Sequence, residues 1–334
     1  MNKNKIKIVI VFLVAIVSAL VVFFFIKNRQ KSENVSVLAP QIQVKSQYKG
    51  KFDVSFSIKE NETSLPKNVQ VLNISNSPLE LTRLSEIASK LGFPGEPSKT
   101  KDVAKGEVYF WQNDTGSFFT YPNARRLEYS SYSLYTNAVN KQLSDADVTK
   151  TAEDFLINNG FYDQGSLETA SLSYLNETSP YGGLSKTTKE NALLYQVNFY
   201  PKTAGYEIVN KNPEDYTISV KVLRDGTVWS AYASVFEFYS TDTVSFPAKG
   251  YQETLNSINK SVLVSLTGAY LSAYDLPENS IKKVTINEIT LAYLLESSNS
   301  TSLLPVYLLE GSAEVNEVKD PLNVTLYLSA VSEK

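Results

Sequence analysis

Residues 81–94 read LTRLSEIASKLGFP, and residues 148–161 read VTKTAEDFLINNGF. In the first stretch Leu81, Leu84, Ile87, Ala88 and Leu91 recur three and four residues apart, the spacing of an apolar helical stripe. In the second, Val148, Ala152, Phe155 and Leu156 do the same, behind Ser144 and Asp147 as a capping pair. Both stretches close on Gly-Phe, at Gly92-Phe93 and Gly160-Phe161. A glycine there supplies the left-handed C-cap, and the apolar residue after it packs back on the helix.

Each closure is followed by alternating, β-prone runs. After Phe93 they fall at 108–112, 117–121 and 127–132, separated by Asn113-Asp114-Thr115-Gly116 and Pro122-Asn123-Ala124, which is turn chemistry. After Phe161 they fall at 192–200, 216–223 and 227–238, with Asp225-Gly226 as a hairpin turn. A third round starts at Ser245-Phe246-Pro247. Tyr251, Leu255, Ile258 and Val262 are spaced for a helix, and long strands are expected at 284–295, 305–315 and 324–331. Upstream, Phe52, Val54, Phe56 and Ile58 alternate as a first strand, and 69–72 reads as a short one.

The N-terminus carries a different signal. An uncharged apolar run begins at Ile8 and ends at Ile26. At ~1.5 Å rise per residue it would reach ~28 Å, close to the hydrocarbon thickness of a bilayer. Lys3, Lys5 and Lys7 precede it, and Lys27, Arg29 and Lys31 follow it, so flanking charge alone does not orient it. A cleaved signal peptide with its site at Val17-Ser18-Ala19 is the rival reading, but the apolar run is longer than a usual signal core.

The expected fold class is therefore α+β: an N-terminal single transmembrane helix followed by tandem helix-on-antiparallel-sheet modules. The expected division is 1–31 anchor, 32–66 stalk and first strand, 67–140 first module, 141–240 second module and 241–334 C-terminal module. This places the chain at the cell membrane, single-pass, with an extracytoplasmic C-terminal region.

Composition narrows the chemistry. The 334 residues include 32 basic and 35 acidic side chains, no cysteine and no histidine. Disulfides, thiol nucleophiles, thiolate metal sites, imidazole acid–base catalysis and Ser-His-Asp triads are all excluded. Every acidic residue lies at or beyond Glu33, so the chain beyond the flanking Lys31 is distinctly acidic and lacks a basic cluster. Nucleic acid is not an expected partner.

The remaining catalytic classes leave little. Ser257-Ile258-Asn259-Lys260 has the spacing of a serine–lysine pair, whereas Ser57-Ile58-Lys59-Glu60 does not. Asp145-Ala146-Asp147 is a fragment of a calcium-loop pattern without its glycine and distal glutamate, and reads better as a first helical turn. Gly182-Gly183 lacks the context of a phosphate loop. A two-carboxylate site needs two acids held ~5–10 Å apart, and the sequence marks out none. No catalytic, cofactor-binding or metal-ligating residue is assigned, and no cofactor is expected. The 21 tyrosines, concentrated in the strands, suit half-buried sheets, and Ser130-Ser131-Tyr132-Ser133-Leu134-Tyr135 is the stretch expected to leave rings at the surface.

Three stretches carry a resemblance: Phe246-Pro247 leading into Tyr251-Gln252-Glu253-Thr254-Leu255, then VTINEITLAY at 284–293, then LPVYLLEG at 304–311. Together they resemble the C-terminal region of YycH/YycI-type proteins, single-pass extracytoplasmic regulators of a cell-wall sensor kinase in Gram-positive bacteria. The helix-then-hairpin units also resemble PepSY-like modules. The resemblance covers the last ~90 residues best. It implies a non-enzymatic regulator with a membrane-protein partner, met partly through the transmembrane helix, and it carries no catalytic residues over.

The expected function is thus a membrane-anchored extracytoplasmic regulatory or interaction protein without catalysis, and the resemblance implies that it modulates a membrane sensor kinase. The alternatives are a surface-tethered module binding a wall polymer or peptide, and a two-carboxylate hydrolase.

Overall fold

The computed structural model describes residues 42–333, apart from 47, 61–62, 76, 134–141, 178–182, 214, 240–244, 268–275 and 298–299. Among the described residues there are nineteen strands and three α-helices. Seventeen of the strands join one large mixed sheet.

Nine of them form a continuous antiparallel run. Its order is β4 (Ser98–Asp102), β5 (Gly106–Asn113), β6 (Gly116–Tyr121), β7 (Arg126–Ser131), β13 (Val228–Ser234), β12 (Ile218–Leu223), β10 (Leu194–Thr203), β8 (Leu167–Glu177) and β9 (Leu184–Lys186). The two longer helices, α1 (Leu81–Lys90) and α2 (Asp145–Asn158), bury their stripes on one face of this run. Leu84, Ile87 and Ala88 from α1 join Val148, Ala152 and Leu156 from α2 against Phe118, Leu127, Tyr195, Val197, Phe199, Ile218 and Val220. Each fully buried aliphatic side chain here contributes ~1.5–3 kcal/mol of transfer free energy.

Both helices end alike. Phe93 N–H donates to the Ala88 carbonyl at 2.8 Å and Gly92 N–H to Ser89 at 3.1 Å; Phe161 N–H donates to Leu156 at 2.9 Å and Gly160 N–H to Ile157 at 3.0 Å. Gly92 and Gly160 sit at φ +86° and +78°. These are two complete Schellman closures, and Phe93 and Phe161 are buried behind them.

The rest of the large sheet centres on β17 (Ile281–Leu295). On one edge it pairs in parallel with β1 (Asp53–Phe56) and β11 (Tyr206–Asn210), and on the other antiparallel with β18 (Ser302–Val315). β18 pairs with β19 (Leu322–Ser329), and β19 with β16 (Val262–Thr267). A bulge between Ile286 and Glu288 faces Gly311, whose backbone is so close that a Cβ would lie 1.9 Å from the Thr285 carbonyl oxygen. The two parts of the sheet are joined by the β10–β11 turn, where Lys202 pairs with Glu207.

The α+β expectation of separate helix-on-sheet modules is corrected: the chain is mainly β, and its strands merge. β7 of the expected first module pairs with β13 of the second, and β3 (Leu72–Ile74) pairs with β18 and with β14 (Phe238–Tyr239). Period-2 patterning marks a strand but does not limit its partners, and unpaired edges favour fusion. The third helix is also shorter than its spacing suggests. α3 spans Tyr251–Asn256, and Val262 already begins β16, because the Val262-Leu263-Val264 run packs better in a sheet.

Among the described residues the membrane and single-pass reading is corrected as well. None of the described helices is long and apolar enough to cross a membrane. The run at 8–26, on which that reading was placed, lies outside the described residues.

Candidate functional site

The nine-stranded run has a second face, opposite the helices. Strand alternation puts the neighbours of core-facing Tyr195, Val197 and Phe199 there, namely Gln196, Asn198 and Tyr200. Gln196 stands directly across from Ser173, and Asn198 from Ser171. Asn198 is buried and its side-chain amide donates to the Ser171 hydroxyl at 2.9 Å, while the Gln196 amide donates to the Asn198 side-chain oxygen Oδ1 at 3.1 Å.

The β16–β19 side presents a matching pattern. Ser265 pairs with Thr325 and Thr267 with Asn323. The first pair continues as a transverse row, since Thr325 is opposite Glu310 and Glu310 is opposite Glu288. Both polar sets line a single cavity of about 660 Å³, with Lys186, Tyr200 and Tyr216 at its border. An adjoining cavity of about 610 Å³ shares Tyr200, Glu310 and Thr325 and adds Lys202, Glu207, Glu288 and Tyr327. Together they form one polar cleft. Facing sheet surfaces ordinarily interdigitate apolar side chains, so a polar lining on both walls sets this gap apart from a packed core.

The cleft is electrostatically uneven. Burial pushes the Glu207 carboxyl above its ordinary value, and the negative charges of Glu168 and Glu310 push it further, against the pull of Lys202. Desolvation also raises Glu310, followed by the charge of Glu288 directly across the ladder. Glu310 keeps access to solvent, which screens part of that effect. Lys202 is engaged with Glu168 at 2.9 Å. Tyr200 and Tyr216 pack with ring centroids 5.6 Å apart, and the Tyr200 hydroxyl donates to the Pro213 carbonyl at 2.9 Å.

The residues singled out from sequence take structural roles. Ser257 closes α3, and the Lys260 ammonium pairs with Glu333. Asp145 accepts from Tyr174 at 2.9 Å and pairs with Lys189 at 2.7 Å, which holds its carboxyl below the usual range. Asp147 and Ser144 bond reciprocally at the start of α2, the Ser144 hydroxyl at 2.6 Å from the carboxylate. Asp225 caps its turn through Thr227 N–H at 2.8 Å. Tyr132 is 48% exposed, while Leu134, Tyr135 and Gly182 lie outside the described residues. Among the described residues no three acidic side chains are grouped closely enough to hold a metal ion.

The sequence alone marks out none of the cleft residues. Their signal is a polar period of two in Ser171-x-Ser173, Gln196-x-Asn198, Ser265-x-Thr267 and Asn323-x-Thr325. Taken strand by strand, that pattern is identical to an ordinary solvent-facing side.

No family model matches the chain, and no curated protein matches it. Among solved structures, it is similar to the crystal structure of an uncharacterized protein from Eubacterium rectale ATCC 33656, at 11% sequence identity and a TM-score of 0.47, over 85% of this chain and 89% of that one.

Proposed function

We propose that the chain is a non-enzymatic regulatory or interaction protein that seats a polar ligand or partner segment in the cleft. The observation that carries this reading is the polar lining of both walls, where two sheet faces would otherwise close into a core. The stretches that resemble YycH/YycI-type regulators form α3, β17 and β18, and β17 and β18 contribute Glu288 and Glu310 to the cleft. That resemblance supports the regulatory class.

The test is ligand-observed NMR on the full chain with a panel of short peptides and oligosaccharides, repeated with Ser173→Trp to fill the cleft. Ligands that lose their signal in that variant support the reading. A panel that binds equally to both proteins, or not at all, overturns it.

The raised carboxyls of Glu207 and Glu310 favour a second reading, a two-carboxylate hydrolase, because a glycosidase acid needs a carboxyl that holds its proton. Turnover of any panel oligosaccharide, abolished by Glu310→Gln, would establish it.

A further inference from the structure

We propose that the ligand of the cleft is an uncharged, hydroxyl-rich linear oligosaccharide, a proposal that rests on the cleft being the binding site.

The argument begins with hydrogen-bonding capacity that the fold does not use. The side chains of Ser173, Ser265, Thr267, Asn323 and Thr325 line the cavity and make no side-chain hydrogen bond among the described residues. Asn198 donates once and accepts once within the protein, which leaves one amide hydrogen and one oxygen lone pair. Ser171 accepts from Asn198 and keeps its own O–H. Nearly all of these groups both donate and accept. A sugar hydroxyl does the same, so it can meet them in any orientation.

A peptide fits less well. Extended peptides are commonly held by the free backbone groups of a sheet edge. Here the walls are sheet faces, and β10, β12, β18 and β19 within them are paired on both edges, with β16 paired to β19 at the margin. What the cavity offers is side chains. The charged lining of the first space is Lys186 and Glu310, one of each sign, and the adjoining space adds Lys202, Glu207 and Glu288, an acidic balance that disfavours an anionic ligand. The Tyr200–Tyr216 pair adds aromatic surface at the border, suited to the apolar face of a sugar ring. The two adjoining spaces of about 660 and 610 Å³ continue into one another through Tyr200, Glu310 and Thr325, which favours a chain of sugars over a single one.

The test is calorimetric titration of the full chain with neutral tetrasaccharides of glucose, N-acetylglucosamine, mannose and galactose, and with a neutral eight-residue Gly/Ser peptide. Thr325→Val and Ser173→Ala serve as variants. Because neither hydroxyl has a side-chain partner among the described residues, both variants keep the wild-type Tm. Binding of at least one tetrasaccharide, weakened about 5–10-fold by each variant, is the expected result. Binding of the peptide alone, weakened by the same variants, overturns the ligand class and leaves the cleft as the site. Absence of binding by every probe, or binding unaffected by both variants and by Ser173→Trp, overturns both.

Discussion

The guanidinium of Arg125 lies 3.2 Å from the Glu237 carboxylate and joins two segments where the chain passes between the parts of its sheet. Arg125 is 6% exposed and sits at φ +52°, unusual for a residue with a side chain. Its Nε donates to the Val235 carbonyl at 2.8 Å, and another nitrogen donates to Ser77. Arg83 reaches the same Glu237 at 2.9 Å, and Ser75 N–H donates to the Glu237 carbonyl at 2.9 Å. The passage from β3 to α1 is thereby tied to the passage from β13 to β14.

Replacing Arg125 should therefore cost more than replacing its partner. Arg125→Ala leaves two carbonyls without their donor and should lower stability by about 2–4 kcal/mol in urea denaturation. Glu237→Gln should cost well under half of that, because the glutamate is partly exposed and keeps one oxygen as an acceptor. Arg125→Gly should recover about 1 kcal/mol over Arg125→Ala by relieving the positive φ. Equal losses for Arg125→Ala and Glu237→Gln would show that the ion pair, and not the carbonyl contacts, is what matters.

Three glycines separate backbone conformation from crowding. A Cβ at Gly92 meets nothing within 4 Å, and one at Gly160 only the tip of Lys90 at 3.4 Å and Ile87 at 3.7 Å. Alanine at either position should cost about 1–2 kcal/mol, the left-handed backbone penalty alone. Gly311→Ala is different, since its Cβ would meet backbone at 1.9 Å. That variant should distort the β17–β18 hairpin and lose several degrees more of Tm than the other two. A Gly311→Ala protein as stable as Gly92→Ala would rule out the close approach.

The helix closures were legible because their determinants are local. Leu84, Ile87 and Ala88 set the stripe, Gly92 the turn and Phe93 the return contact, all within ten residues. Strands were legible for the same reason, so 284–295 and 305–315 match β17 and β18 closely. What could not be read was which edges meet. Nothing in Ser130 announces Ser230 as its partner, and nothing in Val54 announces Val284, since pairing depends on long-range packing. The cleft was hidden by the same gap: Thr325 and Asn198 are ordinary polar residues until two walls bring them to one cavity.

Lys249 supplies a further test. It is 1% exposed, donates to the carbonyls of Ser329 and Val331, and accepts from the Tyr307 hydroxyl through its own carbonyl at 2.7 Å. Lys249→Met keeps the volume but removes the donor from two carbonyls, against relief of a buried charge. A net loss of about 1–3 kcal/mol is expected. Hydrogen exchange should accelerate first at Lys249 and Ala330, whose amides close that junction. Unchanged exchange there, with acceleration spread evenly over the protein, would show that the lysine does not hold the C-terminal strand.

The acidic row gives the last prediction a definite sign. The Glu310 carboxyl is raised above 4.5 by desolvation and by Glu288 across the ladder, and Glu207, itself raised, adjoins it in the cleft. Lys202, which lines the same space, is engaged with Glu168. The folded protein thus holds these protons longer than the unfolded chain does. The stability that follows is complete below pH 4.5 and is lost as pH rises through the raised value. Glu310→Gln removes both the titration and the facing like charges, whose repulsion on a sheet costs roughly 0.2–1 kcal/mol. The variant should accordingly be more stable than the wild type in urea at pH 7.5 and nearly equal to it at pH 4. A difference that stays constant between the two pH values would mean that Glu310 and Glu288 do not repel one another in the folded protein.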